Sequence, residues 1–186
     1  PDASVDPVIA SAITGEACDL DLAAGATLSV QGGTIRICGS VSGSGNIDAS
    51  AGTVEYRGSA PQSLVSDRFA GSSVRNLTVA NAAGVSFTGP LSVTGVVLVQ
   101  AGELASDGNL TLASDASRTA LIDGSGAGTV SGNVTMQRYL PSKFSYRYFS
   151  SPFVAATVNE FADDMDLASS WPMLYRYDES RTSSGW

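Results

Sequence analysis

The sequence predicts an all-β chain: a right-handed parallel β-helix, or solenoid, of about six short-strand rungs, followed by an aromatic-rich, β-rich cap or the start of a second domain. Three observations predict it. Short apolar-polar-apolar triplets run along the chain, turn-forming residues separate them, and similar triplets recur near every 20 residues.

The triplets are Leu20-Asp21-Leu22, Leu28-Ser29-Val30, Ile35-Arg36-Ile37, Val54-Glu55-Tyr56, Leu77-Thr78-Val79, Val85-Ser86-Phe87, Leu91-Ser92-Val93, Val97-Leu98-Val99, Leu110-Thr111-Leu112 and Val134-Thr135-Met136. Each alternates with period 2, as a strand with one buried face does, and the Gly, Ser, Asn and Asp between them permit tight turns. Their close spacing leaves little room for the longer strands of an ordinary sandwich. Leu77 recurs as Val97, 20 residues on, and Leu91 as Leu110, 19 residues on, which is the period of stacked coils. Three strands per coil would set Leu, Val and Ile in interior ladders, turn Ser, Thr and Asp to water, and stack coils at about 4.8 Å. A sandwich or propeller blade is the competing architecture, because many short strands with turn signals fit those too. Residues 59–74 break the rhythm: Ala60-Pro61-Gln62-Ser63 and Asp67-Arg68-Phe69 hold no clean triplet, and a loop bulging from one coil is expected there.

Composition divides the chain near Arg138. Of the 20 glycines 19 lie in residues 1–138, and of the 14 aromatics 11 lie in 139–186. The expected domains are a solenoid over 1–137 and, over 138–186, an aromatic-rich cap or the N-terminal part of a second domain. In the latter, Phe144-Ser145-Tyr146-Arg147-Tyr148 alternates as a strand, Thr157-Val158-Asn159-Glu160 matches a capping box opening a short helix over about 158–168, and Met173-Leu174-Tyr175-Arg176-Tyr177 reads as a further strand. So many aromatics left exposed would form an apolar patch larger than soluble monomers tolerate, so this part is expected to dock on the last rung. Pro1 at the start and Ser183-Ser184-Gly185-Trp186 at the end read as cuts in a longer protein.

With 43% hydrophobic and 15% charged residues the chain can bury a core. Ten Lys and Arg stand against 18 Asp and Glu, a net charge of −8, so nucleic acid is a poor partner. Histidine is absent from the sequence, which removes the commonest general base, the usual zinc ligand and the Ser-His and Cys-His dyads. The longest apolar run, Val96-Val97-Leu98-Val99, is far below the roughly 20 residues of a membrane span. No cofactor, no membrane insertion and no catalysis are expected; Arg36, Glu55 and Arg57 lie on or beside triplets, yet no cluster of acids with a base emerges from the period.

Cys18 and Cys38 are 20 residues apart, one coil, so a right-handed coil sets them one above the other within disulfide range. The alternative is two buried free thiols. Asn76-Leu77-Thr78, Asn109-Leu110-Thr111 and Asn133-Val134-Thr135 match the N-glycosylation pattern, and each also sits where a left-handed asparagine would turn a corner. Asp163, Asp164 and Asp166 are candidate calcium ligands, set against a solvated helix face, because the segment lacks the glycine and distal glutamate of a calcium loop. Asp19, Asp21, Asp107 and Asp115 read as solvent-facing. Tyr146, Tyr148, Trp171 and Tyr175, with Tyr139, Tyr177, Arg138, Arg147 and Arg176, could stack on sugar, or could close the solenoid's end by packing. Ice-binding threonine arrays are not expected, since threonines occur singly within the triplets.

Gly52-Thr53-Val54-Glu55-Tyr56-Arg57-Gly58-Ser59-Ala60-Pro61-Gln62, Asn76-Leu77-Thr78-Val79, Gly128-Thr129-Val130-Ser131-Gly132-Asn133-Val134-Thr135-Met136-Gln137-Arg138-Tyr139 and Tyr146-Arg147-Tyr148-Phe149-Ser150-Ser151-Pro152 resemble a repeat-rich segment of large Bacteroidota surface and secreted proteins. The resemblance covers most of residues 25–180. It implies an extracellular or outer-surface, often adhesin-like protein exported by the type IX route, with this segment as stalk or spacer, and it carries over no catalytic residue. Surface polysaccharide or another cell-surface protein is the implied partner. The alternative is a carbohydrate-binding or carbohydrate-degrading β-helix.

Overall fold

The computed structural model describes residues 6–142 and, beyond them, positions 147, 148, 151, 153, 154, 156–170, 174, 175 and 180. The chain divides into two compact units, residues 1–142 and 143–186.

The first unit is a β-solenoid of about six coils. Coil one holds β1 (Val8–Ala10), β2 (Thr14–Ala17) and β3 (Leu20–Leu22); coil two holds β4 (Thr27–Gln31), β5 (Thr34–Ile37) and β6 (Val41–Gly43). Coil three holds β7 (Asn46–Tyr56) and β8 (Gln62–Leu64), and coil four holds a 3₁₀ turn at Ser66–Arg68, β9 (Phe69–Ala80) and β10 (Val85–Phe87). Coil five holds β11 (Leu91–Val93), β12 (Val96–Ala101) and β13 (Glu103–Ala105). Coil six holds β14 (Leu110–Leu112), β15 (Leu121–Asp123) and β16 (Thr129–Ser131), and β17 (Val134–Met136) continues the stack.

Every pairing between these strands is parallel, coil upon coil. All ten triplets lie in strands, and the two spacings that set the period are true partners: Leu77 faces Val97 and Leu91 faces Leu110. The strands make three faces. One face runs β1-β4-β7-β9-β11-β14-β17, a second runs β2-β5-β7-β9-β12-β15, and a third carries β3-β6 and, separately, β8-β10-β13-β16. Strands β7 and β9 serve two faces because they bend round a corner. In β7 the corner is Gly52, where a Cβ would come within 2.6 Å of the Val30 carbonyl in the coil below; only glycine lets the coils approach so closely.

Alternate residues enter the interior as the triplets predict. Leu28, Ile47, Leu91 and Leu110 line one face, Ile35, Val54, Leu77 and Val97 the next, and Leu64, Val85 and Leu104 the third. At about 25 cal/mol per Å² of apolar surface removed from water, these ladders are the main force holding the coils together. Among the described residues, no helix is long and apolar enough to cross a membrane.

Residues 59–74 are not a bulging loop. Gln62 pairs with Val85 and Leu64 with Phe87, while Phe69 pairs with Ile47 and Val74 with Ala49. Between those last two pairs the register slips, and the surplus is taken up around Gly71 and Ser72, both left-handed at φ +63° and +47°. The triplet pattern misses this coil because its inward residues include Gln62 and because the bulge shifts the alternation. In the second unit the helix expected over about 158–168 is a single 3₁₀ turn, Val158–Phe161, and the Thr157 hydroxyl makes no capping bond. Val158, Phe161, Ala162 and Met165 keep the spacing of an apolar stripe, but none of them is buried, and a segment this short does not hold a helix without packing. Arg147, Tyr148, Leu174 and Tyr175, from the two expected aromatic strands, are not in strands; the other residues of those strands lie outside the described set.

Candidate functional site

Cys18 and Cys38 form a disulfide with their Cα atoms 4.4 Å apart. Geometry follows from register: Ala17 faces Ile37, so the next residue of each coil stacks at the corner where the second face turns into the third. Cys18 is exposed, and the bridge ties coil one to coil two at the surface.

The same corner continues upward as a buried amide network. Gln62 is nearly buried and Asn81 wholly so. The Gln62 side-chain amide donates to the Ile37 carbonyl at 3.0 Å and the Gly39 carbonyl at 2.8 Å, and its oxygen accepts from the Gly58 amide at 2.7 Å and from Asn81 at 2.9 Å. Asn81 also donates to the Ala60 carbonyl and accepts from the Ala83 amide. Here β6 and β8 do not pair, so the third face is interrupted between coils two and three. The amide of Gln62 replaces ladder bonds that this break removes. Tyr56 is fully buried in the interior beside this network; its hydroxyl has no hydrogen-bond partner among the described residues, and burial pushes its phenol pKa up.

Outward side chains also stack by register. Arg36 donates to Glu55 at 3.0 Å across adjacent coils, with Arg57 3.8 Å from the same carboxylate. The period did not reveal this trio; it contains one acid and no second to make a catalytic pair. Thr14, Thr34 and Thr53 form one outward row that continues as Asn76, with Glu16, Arg36 and Glu55 as the next row over.

The aspartates face solvent as expected, and most are occupied locally. The Ser40 amide and hydroxyl hold the Asp19 carboxyl below its usual range, and Ser42 donates to Asp21. Asp48 and Asp115 are lowered chiefly by the hydroxyls of Ser50 and Ser117, and Asp123 by the amide of Ser125, each two residues on. Asp166 accepts from the Ala168 amide at 3.0 Å. Among the described residues, Asp163, Asp164 and Asp166 do not form a group able to hold a metal ion.

Of the candidate sugar-stacking aromatics, Tyr148 and Tyr175 are exposed, at 78% and 55%. Tyr146 and Trp171 lie outside the described residues. The asparagines of the three glycosylation-like motifs do stand at corners, but none is left-handed. Asn76 works through its side chain instead, accepting from the Val96 amide of the coil above at 3.0 Å and donating to Thr53 in the coil below at 3.3 Å.

An open groove of about 320 Å³ lies along the corner between the first two faces, over coils four to six. Arg75 and Asn76 come from coil four, Thr94, Gly95 and Val96 from coil five, and Ser117, Arg118, Thr119 and Leu121 from coil six. The last group belongs to an insertion closed by an antiparallel bridge between Ser114 and Thr119 and by Asp115, whose carboxylate accepts from the amides of Ser117 and Arg118. Sequence reasoning passed over this groove, because its residues come from three coils and none lies in a motif of its own. No protein-family model, curated protein or solved structure matches the chain.

Proposed function

We propose that this chain is a non-catalytic structural and adhesive module, a stalk or spacer, of a large secreted or cell-surface bacterial protein. The observation that carries the reading is the unbroken interior from Ile9 to Leu112, in which each coil is bonded to its neighbours through parallel ladders. Such a stack transmits load from coil to coil and lengthens by repetition, which suits a spacer. The Cys18–Cys38 bridge favours an oxidising compartment, and so an extracellular or outer-surface location. The resemblance to Bacteroidota surface proteins supplies the bacterial source and the type IX route, with surface polysaccharide or another cell-surface protein as partner.

Antibody against residues 6–142 tests it on intact cells of the source organism. Labelling that protease shaving abolishes supports the reading, and labelling that appears only after permeabilisation contradicts it. A carbohydrate-binding β-helix is the second reading, favoured by the groove beside Arg75 and Arg118.

A further inference from the structure

We propose that the groove at Arg75 and Arg118 binds the carboxylate of an acidic saccharide of the uronic-acid class. The inference rests on the adhesive part of the function proposed above and names a ligand for it.

In an acidic chain with few cations, those of the solenoid are mostly spoken for: Arg36 and Arg57 meet Glu55, and Arg68 meets Asp67 and the Gly43 carbonyl. Arg138 donates to the Gln137 carbonyl. Arg75 and Arg118 differ, since among the described residues neither guanidinium makes a hydrogen bond or salt bridge, the Arg118 charge contributing only at longer range to holding the Asp115 carboxyl down, and both line one groove. The sequence sets them 43 residues apart; the coil period and the coil-six insertion bring them together. Gly95 keeps the floor open: a Cβ there would run into the Asn76 side-chain oxygen and lie 2.7 Å from the Arg75 carbonyl, so a larger residue would force the coils to shift at this spot.

Two arginines lining one groove suit a carboxylate, which guanidinium binds in a bidentate manner. The remaining lining selects the kind of molecule that bears it. The Thr94 hydroxyl matches a sugar hydroxyl, while those of Ser117, which donates to Asp115 at 2.6 Å, and Thr119, bonded to Ser114 at 2.7 Å, keep lone pairs that can accept from one. A peptide adding as a strand would need free backbone, and here the Val96 amide is held by Asn76, the Thr94 amide by the Val74 carbonyl and the Leu121 amide by the Gly95 carbonyl. The volume sits at the lower end of ligand sites, roughly 300–1,000 Å³, which fits a sugar or two. A long polyanion would meet the chain's own excess of acid, so the expected ligand presents one carboxylate at a chain end.

The test titrates the full chain, by calorimetry and by NMR of its amides, with a glucuronate-terminated disaccharide. Its methyl ester, its neutral glucose counterpart, a sulfated disaccharide and an Asp-Glu peptide serve as comparisons. Binding of the glucuronate with amide shifts at Thr94, Gly95 and Thr119, weakened at least about tenfold by R75A or by R118A, is the expected result. R75K should also weaken it, since lysine keeps the charge and loses the fork. No binding, binding untouched by both alanine variants, or equal binding of the ester or neutral sugar overturns the proposal. Tighter binding of the sulfated sugar overturns the carboxylate assignment, and equal binding of the peptide overturns the saccharide. Surface labelling of intact cells is independent of these readouts, so failure of the groove leaves the spacer reading standing and the reverse also holds.

Discussion

Between coils one and three, register partners such as Thr14 with Thr34 and Thr34 with Thr53 lie 20 and 19 residues apart; between coils five and six, Val96 faces Leu121 and Glu103 faces Thr129, 25 and 26 apart. The extra residues of the late coils lengthen no strand and go to corners: the coil-six insertion before Leu121 and the turn over 124–128. Interior depth is therefore set by the inward triplets, while corner length is free to vary, and the groove at Arg75 and Arg118 exists because the late coils used that freedom. The regions also differ in burial. Ile35, Ile37 and Val54 are essentially inaccessible, whereas Val130, Val134 and Met136 are only half-buried.

That difference in burial gives the largest expected effect. Leu77→Ala, at a fully buried position in coil four, should cost about 2–5 kcal/mol, and Val134→Ala on the half-buried β17 on the order of 1 kcal/mol. Urea midpoints with matched slopes measure both, and equal losses would erase the distinction between middle and end.

The disulfide comes next. Cys18→Ser should cost about 3 kcal/mol in the chain-entropy picture of a 20-residue loop. Hydrogen exchange should speed up over Thr14–Ile37 and stay unchanged near β11 and β14, because each coil leans only on its neighbours. Uniform acceleration along the solenoid would show that the coils unfold as one block.

Gln62→Leu sharpens the comparison at the interrupted third face. It leaves the Gly58 amide and the Gly39 carbonyl unmatched, the Ile37 carbonyl keeping the Arg57 amide as donor, a loss of roughly 1–3 kcal/mol, whereas Ser86→Leu on the exposed side of intact β10 should cost far less. Thermal melts of the two variants decide it.

Much of this architecture is legible in the sequence, and the misses have physical causes. Triplets such as Leu77-Thr78-Val79 and Leu91-Ser92-Val93 reveal strands because their burial alternates without interruption, and the period places Cys18 over Cys38. Coil-three strand β8 is invisible to that logic, since Gln62 is polar yet inward and satisfied by groups from three coils, Ile37 and Gly39, Gly58, and Asn81. β2 escapes for the opposite reason: Gly15, its inward residue opposite Ile35, has no side chain, and a Cβ there would meet Ile9. The capping-box pattern at Thr157 fails because a cap alone cannot hold a short helix whose apolar residues, Val158 and Phe161 among them, are not buried. The groove is unreadable because its arginines belong to different coils whose separation the variable corners set.

The smallest effect concerns acid. The folded carboxyls of Asp19, Asp48, Asp115 and Asp123 lie below the ordinary aspartate value of about 3.9, so their contribution is present above that pH and is lost as pH falls through the folded values. Stability should be flat from neutral to about pH 5 and decline below about pH 4. A variant combining Ser40→Ala, Ser50→Ala, Ser117→Ala and Ser125→Ala should decline less steeply; an unchanged slope would assign the acid sensitivity to other carboxylates.

Register is the claim on which the disulfide, the amide network and the groove all depend, and paired cysteines measure it directly. Ser92 and Thr111 are partners on adjacent coils, both facing outward, whereas Asn109 lies one pleat away on the same face. Ser92→Cys with Thr111→Cys should close a second bridge in air, detected by mass spectrometry of the unreduced chain, while Ser92→Cys with Asn109→Cys, set about 7–8 Å apart on the diagonal, should stay as thiols. Bridging of the Asn109 pair in preference to the Thr111 pair would contradict the stacking described.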